Sequence, residues 1–408
     1  MSRILTSPGP QAPIPQKLDD GAGRRRRRRD MSSLEVTRIS TFAEASALRD
    51  AWQALYVTGA PQNPFASPDW LLPWARHFVP ERDLAVFTVR RDGQLVGLAP
   101  WYVKRSPLFL NRLQLLGSGR HDALTELPQV LTAPGEARSV LRAVINEWSQ
   151  RPGDWDWLEV PIMDDQGWFE PEWLTGAVGE RGLVQHKVTR APVVLDLPTD
   201  SSALHAGMKR NLLESTRRAR NRLNKTGQPW AVTVHEDEKD IACAIPVLAR
   251  LHAARAHLAG RRHHPDRLAQ ACCRAFLEEA LVLMARRRKA QILTLDVAGN
   301  PIAAQLVLMA PDATFLGLSG IDPAWWHISA VTFLQLHAAE DAIRRGAGIL
   351  NFSVGPSVYK LRWSEQIKQH PEFIVCGPRR SSQIAFTGYR AAAAIAGIRR
   401  EAVRHRKA

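Results

Sequence analysis

The chain has 408 residues, 45% hydrophobic and 23% charged, so it can bury a large core, and its length favours two domains. No apolar run reaches the roughly 18 residues that predict a membrane span, and the N-terminus lacks the apolar core of a signal peptide. The four cysteines have no Cys-x-x-Cys spacing, which favours a reducing compartment. We therefore expect a cytoplasmic protein.

The net charge of +15 is concentrated at the two ends. Residues 1–30 carry +5 and residues 379–408 carry +7, which leaves +3 for the central 348 residues. A nearly balanced body does not predict a specific nucleic-acid-binding face, although the ends could contact RNA or an anionic membrane non-specifically. Residues 1–30 are rich in Pro, Gly and Arg without hydrophobic periodicity, which predicts disorder.

Residues 31–198 are expected to form a first α/β unit. Thr41 and Glu44 have the spacing of a capping box, and Ser67 with Pro68 opens another helix. A polar loop with His121 and Asp122 follows a strand end, where open α/β sheets place ligands, so both are candidate substrate contacts; the alternative is a loop that only turns. The patterns predict strands at Leu34–Ile39, Leu84–Arg90, Leu95–Val103, Leu113–Leu116, Trp157–Ile162 and Val193–Leu197, and helices at Phe42–Tyr56, Glu136–Gln150 and Glu170–Glu180.

Residues 199–229 are expected to connect this unit to a second one. A single helix is predicted from Ser201 to Gly227, and it carries a series of basic side chains. Arg217 and Arg218 lie on one side of it and are candidates for binding the phosphates of a donor, because guanidinium groups match phosphate oxygens. The alternative is a solvated helix face.

Residues 230–378 are expected to form the second unit, followed by a basic C-terminal helix in residues 379–408 that docks on the body. His252 and Arg255 are either contacts for an acceptor or ordinary helix-surface residues. The nearby histidines lack a metal-binding frame, so no metal is expected. The patterns predict strands at Trp230–His235, Ile292–Val297, Ile302–Met309, Ala313–Gly320, Ile349–Val354 and Pro371–Cys376, and helices at Asp240–Leu258, Pro265–Arg286, Ala330–Arg345 and Ser382–Arg406.

Over roughly residues 35–377 the chain resembles the CelD-like acetyltransferases, which are relatives of the GNAT and Fem-type transferases. The resemblance rests on NPFASPDWLLPWARHF, LLGSGRHDALTE, LHAGMKRNLLESTRRARNRL and the stretch from NPIAAQLVL to GPSVYKLRW. It implies a mixed α/β fold of two tandem GNAT-like subdomains. It also implies transfer of an acyl group from acyl-CoA to an amine, which we expect to belong to a small metabolite, amino sugar or envelope precursor and to attack the thioester directly.

The phosphate loop of GNAT enzymes, Q/R-x-x-G-x-G/A, is absent, and the segment from Asp322 to Ser329 takes its place. The following helix start, with His327, Ser329 and Ala330, still offers backbone N–H groups and a positive dipole end to a pyrophosphate. The two tryptophans within this segment would crowd such a cradle. Asp322 flanks it and is a candidate acid–base residue.

Tyr359 and Lys360 match an aromatic–lysine pair of Fem-type transferases. The resemblance implies that Lys360 stabilises an oxyanion or a donor phosphate, and that Tyr359 donates a proton or lines the pocket. The alternative is a lysine at a strand end with its amine in water. Two other functions stay open: a Fem-like transferase that uses aminoacyl-tRNA, which the basic segments favour, and a catalytically silent GNAT-fold binding protein, which the missing glycines favour.

Overall fold

The computed structural model describes residues 34–105, 111–119, 124–151, 155–163, 167, 169–178, 182–258, 264–377 and 379–405. Residues 1–30, for which the sequence predicts disorder, lie outside these ranges. Within the described part of the chain, fourteen strands form an eight-stranded and a six-stranded mixed sheet, with helices packed against both.

The strands coincide with stretches rich in β-branched and aromatic residues. The sequence analysis missed two strands: Leu131–Thr132, which has only two residues, and Leu183–Arg190, which lies at a sheet edge with all of its residues exposed or half-exposed. The strands are β1 (Glu35–Ile39), β2 (Leu84–Arg91), β3 (Gln94–Arg105), β4 (Asn111–Leu115), β5 (Leu131–Thr132), β6 (Trp157–Pro161), β7 (Leu183–Arg190), β8 (Pro192–Asp196), β9 (Trp230–His235), β10 (Ala290–Val297), β11 (Asn300–Met309), β12 (Ala313–Ile321), β13 (Ile349–Val354) and β14 (His370–Cys376).

The helices follow the predicted order, and the capping box of Thr41 and Glu44 is confirmed. Short 3-10 helices occur at Pro64–Ala66, Glu81–Asp83 and Pro323–Ile328. The α-helices are α1 (Phe42–Ala47), α2 (Arg49–Gly59), α3 (Pro68–Phe78), α4 (Ala137–Ser149), α5 (Pro171–Val178), α6 (Ser201–Gly207), α7 (Arg210–Lys225), α8 (Glu238–Ala256), α9 (Ala271–Arg286), α10 (Ala330–Arg344), α11 (Val358–Leu361) and α12 (Arg380–His405).

Three predicted helices have different limits in the structure. The helix predicted over Phe42–Tyr56 is divided at Leu48. The long connector helix is divided at Met208 and Lys209, whose ψ angles of 137° and 136° are extended rather than helical. The helix predicted from Pro265 begins only at Ala271.

The two sheets exchange strands, which corrects the strand assignment made from the sequence. Strand β8, predicted to complete the first unit, pairs with β13 in the second sheet. Strand β14, predicted to close the second unit, lies between β6 and β7 in the first sheet. Both strands are largely buried and apolar, so either sheet could accept them, and nothing local in the sequence chooses between the two.

A shared core joins the two units. Helix α3 of the first unit packs against α9 of the second, where the ring centroids of Trp70 and Phe276 lie 5.0 Å apart. Phe65 lies 4.8 Å from Phe315 on strand β12 in the same way. Helix α12 docks on the first sheet as predicted, with Phe386 only 2% exposed. The second sheet is therefore held against the first unit near the middle of strand β12.

Candidate functional site

A cleft begins where strands β12 and β13 separate. These parallel strands pair only between Ala313–Phe315 and Ile349–Asn351. Beyond this point their facing backbone groups are not paired with each other, and buried backbone groups need another partner. Strand β12 also bulges at Gly317 and Leu318, whose carbonyl oxygens accept hydrogen bonds from Gln305 Nε2 at 3.2 and 3.3 Å. The cleft opens at strand carboxyl ends, where α/β sheets commonly bind ligands.

Lys360 lies on the one-turn helix α11, and its ammonium reaches back to strand β13. The Nζ atom donates hydrogen bonds to the carbonyl oxygens of Ser353 at 3.0 Å and Val354 at 2.8 Å. An ammonium has three donors, so one N–H has no partner among the described residues. Burial lowers the pKa of Lys360 to about 8, while Glu126 opposes this shift and Arg267 adds to it. Near neutral pH the group is mostly charged and can offer that N–H to a developing negative charge.

Glu126, from the first unit, holds the end of strand β13. Its two carboxylate oxygens accept hydrogen bonds from Ser353 Oγ and from the Val354 backbone N–H, both at 2.7 Å. Ser353 has a φ angle of 77°, which is uncommon for a residue with a side chain, and Asn351 Oδ1 accepts its backbone N–H at 2.8 Å. Strained backbone of this kind persists only where its surroundings hold it, and it is often found at functional sites.

Tyr359 precedes Lys360 on helix α11, and its hydroxyl interacts electrostatically with Arg255, which is bonded to strand β12. Although 45% of the Tyr359 surface is exposed, burial still raises the pKa of its hydroxyl, with Arg255 opposing the shift and Glu126 adding to it. Arg255 Nη1 donates to Ser319 Oγ of strand β12 at 2.6 Å. Burial lowers the pKa of Arg255, and Tyr359 opposes that shift. Tyr359 is therefore protonated at neutral pH and has a proton to donate.

His252 has a different place from the predicted substrate contact. The side chain is fully buried, and its Nε2 lies 3.2 Å from the backbone N–H of Arg267, which can only donate. Nε2 is thus the acceptor, and Nδ1 donates to the Ser319 carbonyl oxygen at 2.9 Å. Burial lowers the pKa of His252, in agreement with a neutral ring. Both nitrogens have protein partners, and the ring links helix α8 to strand β12.

The start of helix α10 presents backbone N–H groups without a side-chain cap. Ser329, at the N-cap, has a left-handed φ angle of 62°, and Ala330 follows it. Asp322 Oδ1 accepts the Ala324 backbone N–H at 3.0 Å and so caps the preceding 3-10 helix. The His327 ring is stacked on Trp325 with an interplanar angle of 14°. This arrangement assigns Asp322 a structural contact within its own turn.

Helix α7 brings two arginines to this helix start, and they differ from the two predicted. Arg222 Nη1 donates to the carbonyl oxygen of His327. The Arg220 guanidinium carbon lies 6.0 Å from the centre of the Phe333 ring, in the first turn of α10. Both cations therefore lie beside the uncapped N–H groups, where an anion is favoured.

The predicted pair is oriented differently. Arg218 forms an ion pair with Glu214 at 2.8 Å on its own helix. Arg217 is exposed, and no hydrogen bond or ion pair involves it in the described part of the chain. Helical spacing was sufficient to indicate a basic face but not to identify the arginines that reach α10.

Other predicted and unpredicted site residues can be placed in the same way. His121 and Asp122 lie outside the described residues. Glu126 and Ser319 were not among the predicted site residues, although Glu126 is the last residue of the motif LLGSGRHDALTE on which the family resemblance rests. Among the described residues, no group of three or more His, Cys, Asp or Glu side chains could hold a metal ion. The described helices include none with the length and apolar character needed to cross a membrane.

Comparison with known proteins locates this cleft within a recognised domain type. Residues 210–361 match the sequence model of a family described as an acetyltransferase (GNAT) domain. This range contains strands β12 and β13, helix α10 and Lys360. No match was found among curated protein sequences.

Several solved structures are similar to this chain over most of its length. The crystal structure of FemX has a TM-score of 0.57 and 11% identity, covering 83% of this chain and 96% of FemX. A tandem GNAT protein from the clavulanic acid biosynthesis pathway has a TM-score of 0.46 and 14% identity, covering 85% and 99%. L-PGS from Bacillus licheniformis has a TM-score of 0.46 and 10% identity, covering 82% and 92%. The predicted fold class, a mixed α/β structure of GNAT type, is confirmed.

Proposed function

We propose that this protein is an acyl-CoA-dependent N-acyltransferase that transfers a short acyl group to an amine of a small molecule. The observation that carries the proposal is the uncommitted N–H of the Lys360 ammonium at the separation of strands β12 and β13. The match of residues 210–361 to a GNAT acetyltransferase domain supports it. The CelD-like resemblance is consistent with it.

Lys360 would act on the negative charge that develops on the thioester carbonyl oxygen. Its two hydrogen bonds to strand β13 hold the ammonium in place before the reaction, so little reorganisation is needed. Glu126 keeps the group charged, since a nearby carboxylate favours the ammonium form. A donor fixed in this way typically contributes a factor of about 10² to 10³ in rate.

Two proton transfers complete the reaction. The amine attacks the carbonyl carbon, the C–S bond breaks, and the amine loses a proton while the sulfur gains one. Glu126 is our candidate for accepting the amine proton, because it is the carboxylate whose charge acts on both Lys360 and Tyr359. Tyr359 is our candidate for protonating the sulfur, because its raised pKa keeps the hydroxyl protonated.

The remaining donor contacts follow from the same geometry. The uncapped start of helix α10, with Arg220 and Arg222 beside it, would bind the pyrophosphate. A small cavity lies against Glu126 and the Gly317–Leu318 bulge, and it has room for about one water-sized group. An acyl chain entering it would have to be short, which favours an acetyl group over a long fatty acyl group.

Thermal melting of the full chain with CoA, acetyl-CoA and longer acyl-CoAs tests the donor. A ligand at about 100 times its dissociation constant adds about 2.7 kcal/mol to the free energy of unfolding, which raises the melting midpoint. We expect acetyl-CoA to raise it and to release free thiol when suitable amines are added. If neither acetyl-CoA nor any longer acyl-CoA raises the midpoint, the acyl-CoA proposal is wrong.

A second candidate is transfer from an aminoacyl-tRNA, favoured by the TM-score of 0.57 to FemX and by the basic helix α7. This function would use the same Lys360 but a much larger donor. It predicts RNA binding that weakens steeply with salt and that persists when residues 1–30 are deleted; helix α12 is kept, because Phe386 packs in the core of the first sheet. Absence of binding to charged tRNA, together with a shift by acetyl-CoA, would exclude it.

A further inference from the structure

Strand β9 forms one edge of the second sheet. The order of that sheet is β8-β13-β12-β11-β10-β9, so β9 pairs with β10 on one side, and no described strand pairs with its other side. Its six residues, WAVTVH, include no Asp, Glu, Lys or Arg. An open edge is a template for pairing with another chain, and proteins usually protect it with charged side chains, proline, bulges or a covering segment.

The opposite edge of the same sheet is covered by the chain itself. The Val194 backbone N–H of strand β8 donates to the Gln366 carbonyl oxygen at 3.0 Å, and the Lys368 backbone N–H donates to the Pro192 carbonyl oxygen at 3.1 Å. In the first sheet, the end strands β1 and β7 have the sequences EVTRI and LVQHKVTR, so both carry charged side chains, and β7 is bulged where it pairs with β14. Strand β9 has neither a charged side chain nor a bulge, so its edge is the least protected of these.

The register of β9 on β10 shows which of its backbone groups face the open side. The Ala298 N–H donates to the Pro229 carbonyl oxygen at 2.8 Å, in continuation of the β9–β10 ladder. Because hydrogen-bonded pairs alternate along an antiparallel ladder, every second residue of β9 bonds to β10, and the residues between them turn their N–H and carbonyl groups outward. These outward residues are Trp230, Val232 and Val234.

The outward residues are symmetric about Val232. A second copy related by a two-fold axis at Val232 places Val232 opposite its own counterpart and Trp230 opposite Val234. Every outward N–H of one copy then meets an outward carbonyl of the other, as in the hydrogen-bonded pairs of an antiparallel ladder. The edge is therefore complementary to itself without a shift in register.

The side chains and charges around the edge fit the same axis. Val234 is 44% exposed, and the pairing covers it with Trp230 of the other copy, since aromatic and β-branched residues stabilise each other across strands. Residues 220–225, RNRLNK, include three basic and no acidic residues, whereas residues 236–240, EDEKD, include four acidic residues and one basic residue. Antiparallel pairing brings the start of one strand beside the end of the other, so these segments of opposite charge come together.

We propose that this protein forms a two-fold symmetric dimer in which strand β9 pairs antiparallel with β9 of a second copy and joins the two second sheets into one. Strands β10 and β11 lie between this edge and the cleft at β12 and β13, so the dimer leaves the cleft open. The interface does not depend on the proposed transfer reaction, and Lys360→Met should associate as the wild type does. Interfaces of this small size are weak, so we expect a dissociation constant of about 10 µM.

Sedimentation equilibrium of the full chain at about 1 to 200 µM tests the dimer, because this range extends to both sides of the expected dissociation constant. Val234→Pro removes an outward N–H and leaves the bonds to β10, since proline is tolerated on edge strands where the N–H faces solvent. Val234→Lys places a charge on the edge, as natural edge strands do. Each variant should weaken the association at least about tenfold.

Val188→Lys is the matched control, because it makes the same change at a valine that is 41% exposed on the edge strand β7. It should associate as the wild type does. Equal melting midpoints at about 1 µM, where little dimer is present, would show that both lysine variants are folded.

Three results would overturn the proposal. A wild-type chain that stays monomeric up to about 200 µM would mean that the β9 edge is solvated or covered by another part of the chain. A dimer that neither Val234→Pro nor Val234→Lys weakens would form through a different surface. Equal weakening by Val234→Lys and Val188→Lys, with no effect of Val234→Pro, would mean that total charge and not this edge controls the association.

Discussion

In each sheet, two neighbouring parallel strands stop pairing after two or three residues. A side-chain hydrogen bond links the strands beyond this point in the first sheet, whereas a cleft begins there in the second. In the first sheet, parallel strands β4 and β6 pair only at Arg112 with Trp157 and Leu113 with Leu158. Just beyond, Gln114 Nε2 donates to Glu159 Oε1 at 3.0 Å and links the two strands. In the second sheet, strands β12 and β13 part after three paired positions without such a link between them.

The groups beside each separation explain the difference in function that we propose. Lys187 pairs with Glu159 at 2.8 Å and with Glu372 at 2.7 Å, so its charge is neutralised twice. Burial lowers the pKa of Lys187, but the two carboxylates outweigh it and the net shift is upward. Lys360 has only carbonyl partners, and its pKa is lowered. The first lysine stabilises structure, and the second has a donor available for chemistry.

The largest expected effect is on stability, from Lys187→Met in the first sheet. The substitution leaves Glu159 and Glu372, which are 4% and 1% exposed, without their shared cation. Arg190 still contacts Glu372 at 3.3 Å, and Lys187 itself is partly exposed, so the cost comes mainly from Glu159 and should be about 3 kcal/mol, the lower end of the range for removing one member of a buried ion pair. We expect urea denaturation to show a loss of this size, with kcat of the remaining folded protein unchanged.

Glu372→Gln removes one of the two carboxylates and should cost less than Lys187→Met, because Lys187 keeps Glu159. A stability of Lys187→Met within about 1 kcal/mol of wild type would show that the network is not the structural element proposed here.

The second-largest effect is expected from Lys360→Met in the second sheet, which should lower the reaction rate rather than the stability. The substitution removes the donor at the thioester carbonyl and should lower kcat by a factor of about 10² to 10³. Its stability should change less than that of Lys187→Met, because only neutral carbonyl partners are lost. Initial rates of thiol release from acetyl-CoA measure the effect.

Each lysine variant serves as the control for the other, because one should change stability and the other should change kcat. If Lys187→Met lowered kcat as much as Lys360→Met, or if Lys360→Met kept more than about half of the wild-type rate, the distinction between a structural and a catalytic lysine would fail.

The pH dependence of activity should sharpen this comparison further. Because the Lys360 ammonium is needed in its charged form, kcat/KM should fall as the pH rises through about 8. Glu126→Gln can keep both hydrogen bonds to strand β13, but it removes the proposed acceptor of the amine proton, which should lower kcat/KM at every pH, and it removes the charge that favours the ammonium. The falling limb should therefore move to lower pH in that variant.

The contribution of Lys360 to the free energy of unfolding should rise with pH, whereas kcat/KM should fall. The folded protein releases the Lys360 proton near pH 8, whereas the unfolded chain keeps it up to the ordinary value of 10.5. Between these values the unfolded state binds more protons, so this residue makes the free energy of unfolding rise with pH. The difference between wild type and Lys360→Met in urea denaturation at several pH values isolates this effect.

The activity profile of Glu126→Gln completes the test. If kcat/KM of this variant fell over the same pH range as kcat/KM of the wild type, Glu126 would not influence the pKa of Lys360.

The order of strands and helices in the second unit could be predicted because each element has its own periodicity and turn residues. The strand from Ile349 to Val354 was predicted to the residue. Strands β8 and β14 were assigned to the wrong sheets, because the choice between two apolar sheets depends on packing far along the chain.

The site was predictable only where its residues are close in sequence. Tyr359 and Lys360 form a local motif, and Lys360 contacts the end of strand β13. Glu126 contacts Ser353 across 227 residues, and its carboxylate resembles any other in the sequence. His252 was a reasonable candidate until its two ring nitrogens were both found to have partners. Long-range hydrogen bonds of this kind leave no local pattern.

The smallest expected effect concerns the donor phosphates and compares two arginines of helix α7. Arg222→Gln removes a cation beside the start of helix α10 and should weaken acetyl-CoA binding only a few-fold, because exposed charges typically contribute up to about 1 kcal/mol. Arg217→Gln makes the same chemical change on an exposed position without a described contact and should have no effect at moderate salt. Titration calorimetry with CoA measures both. Equal weakening by the two variants would mean that the helix attracts the donor through its total charge, and the phosphate position proposed at Ala330 would lose its support.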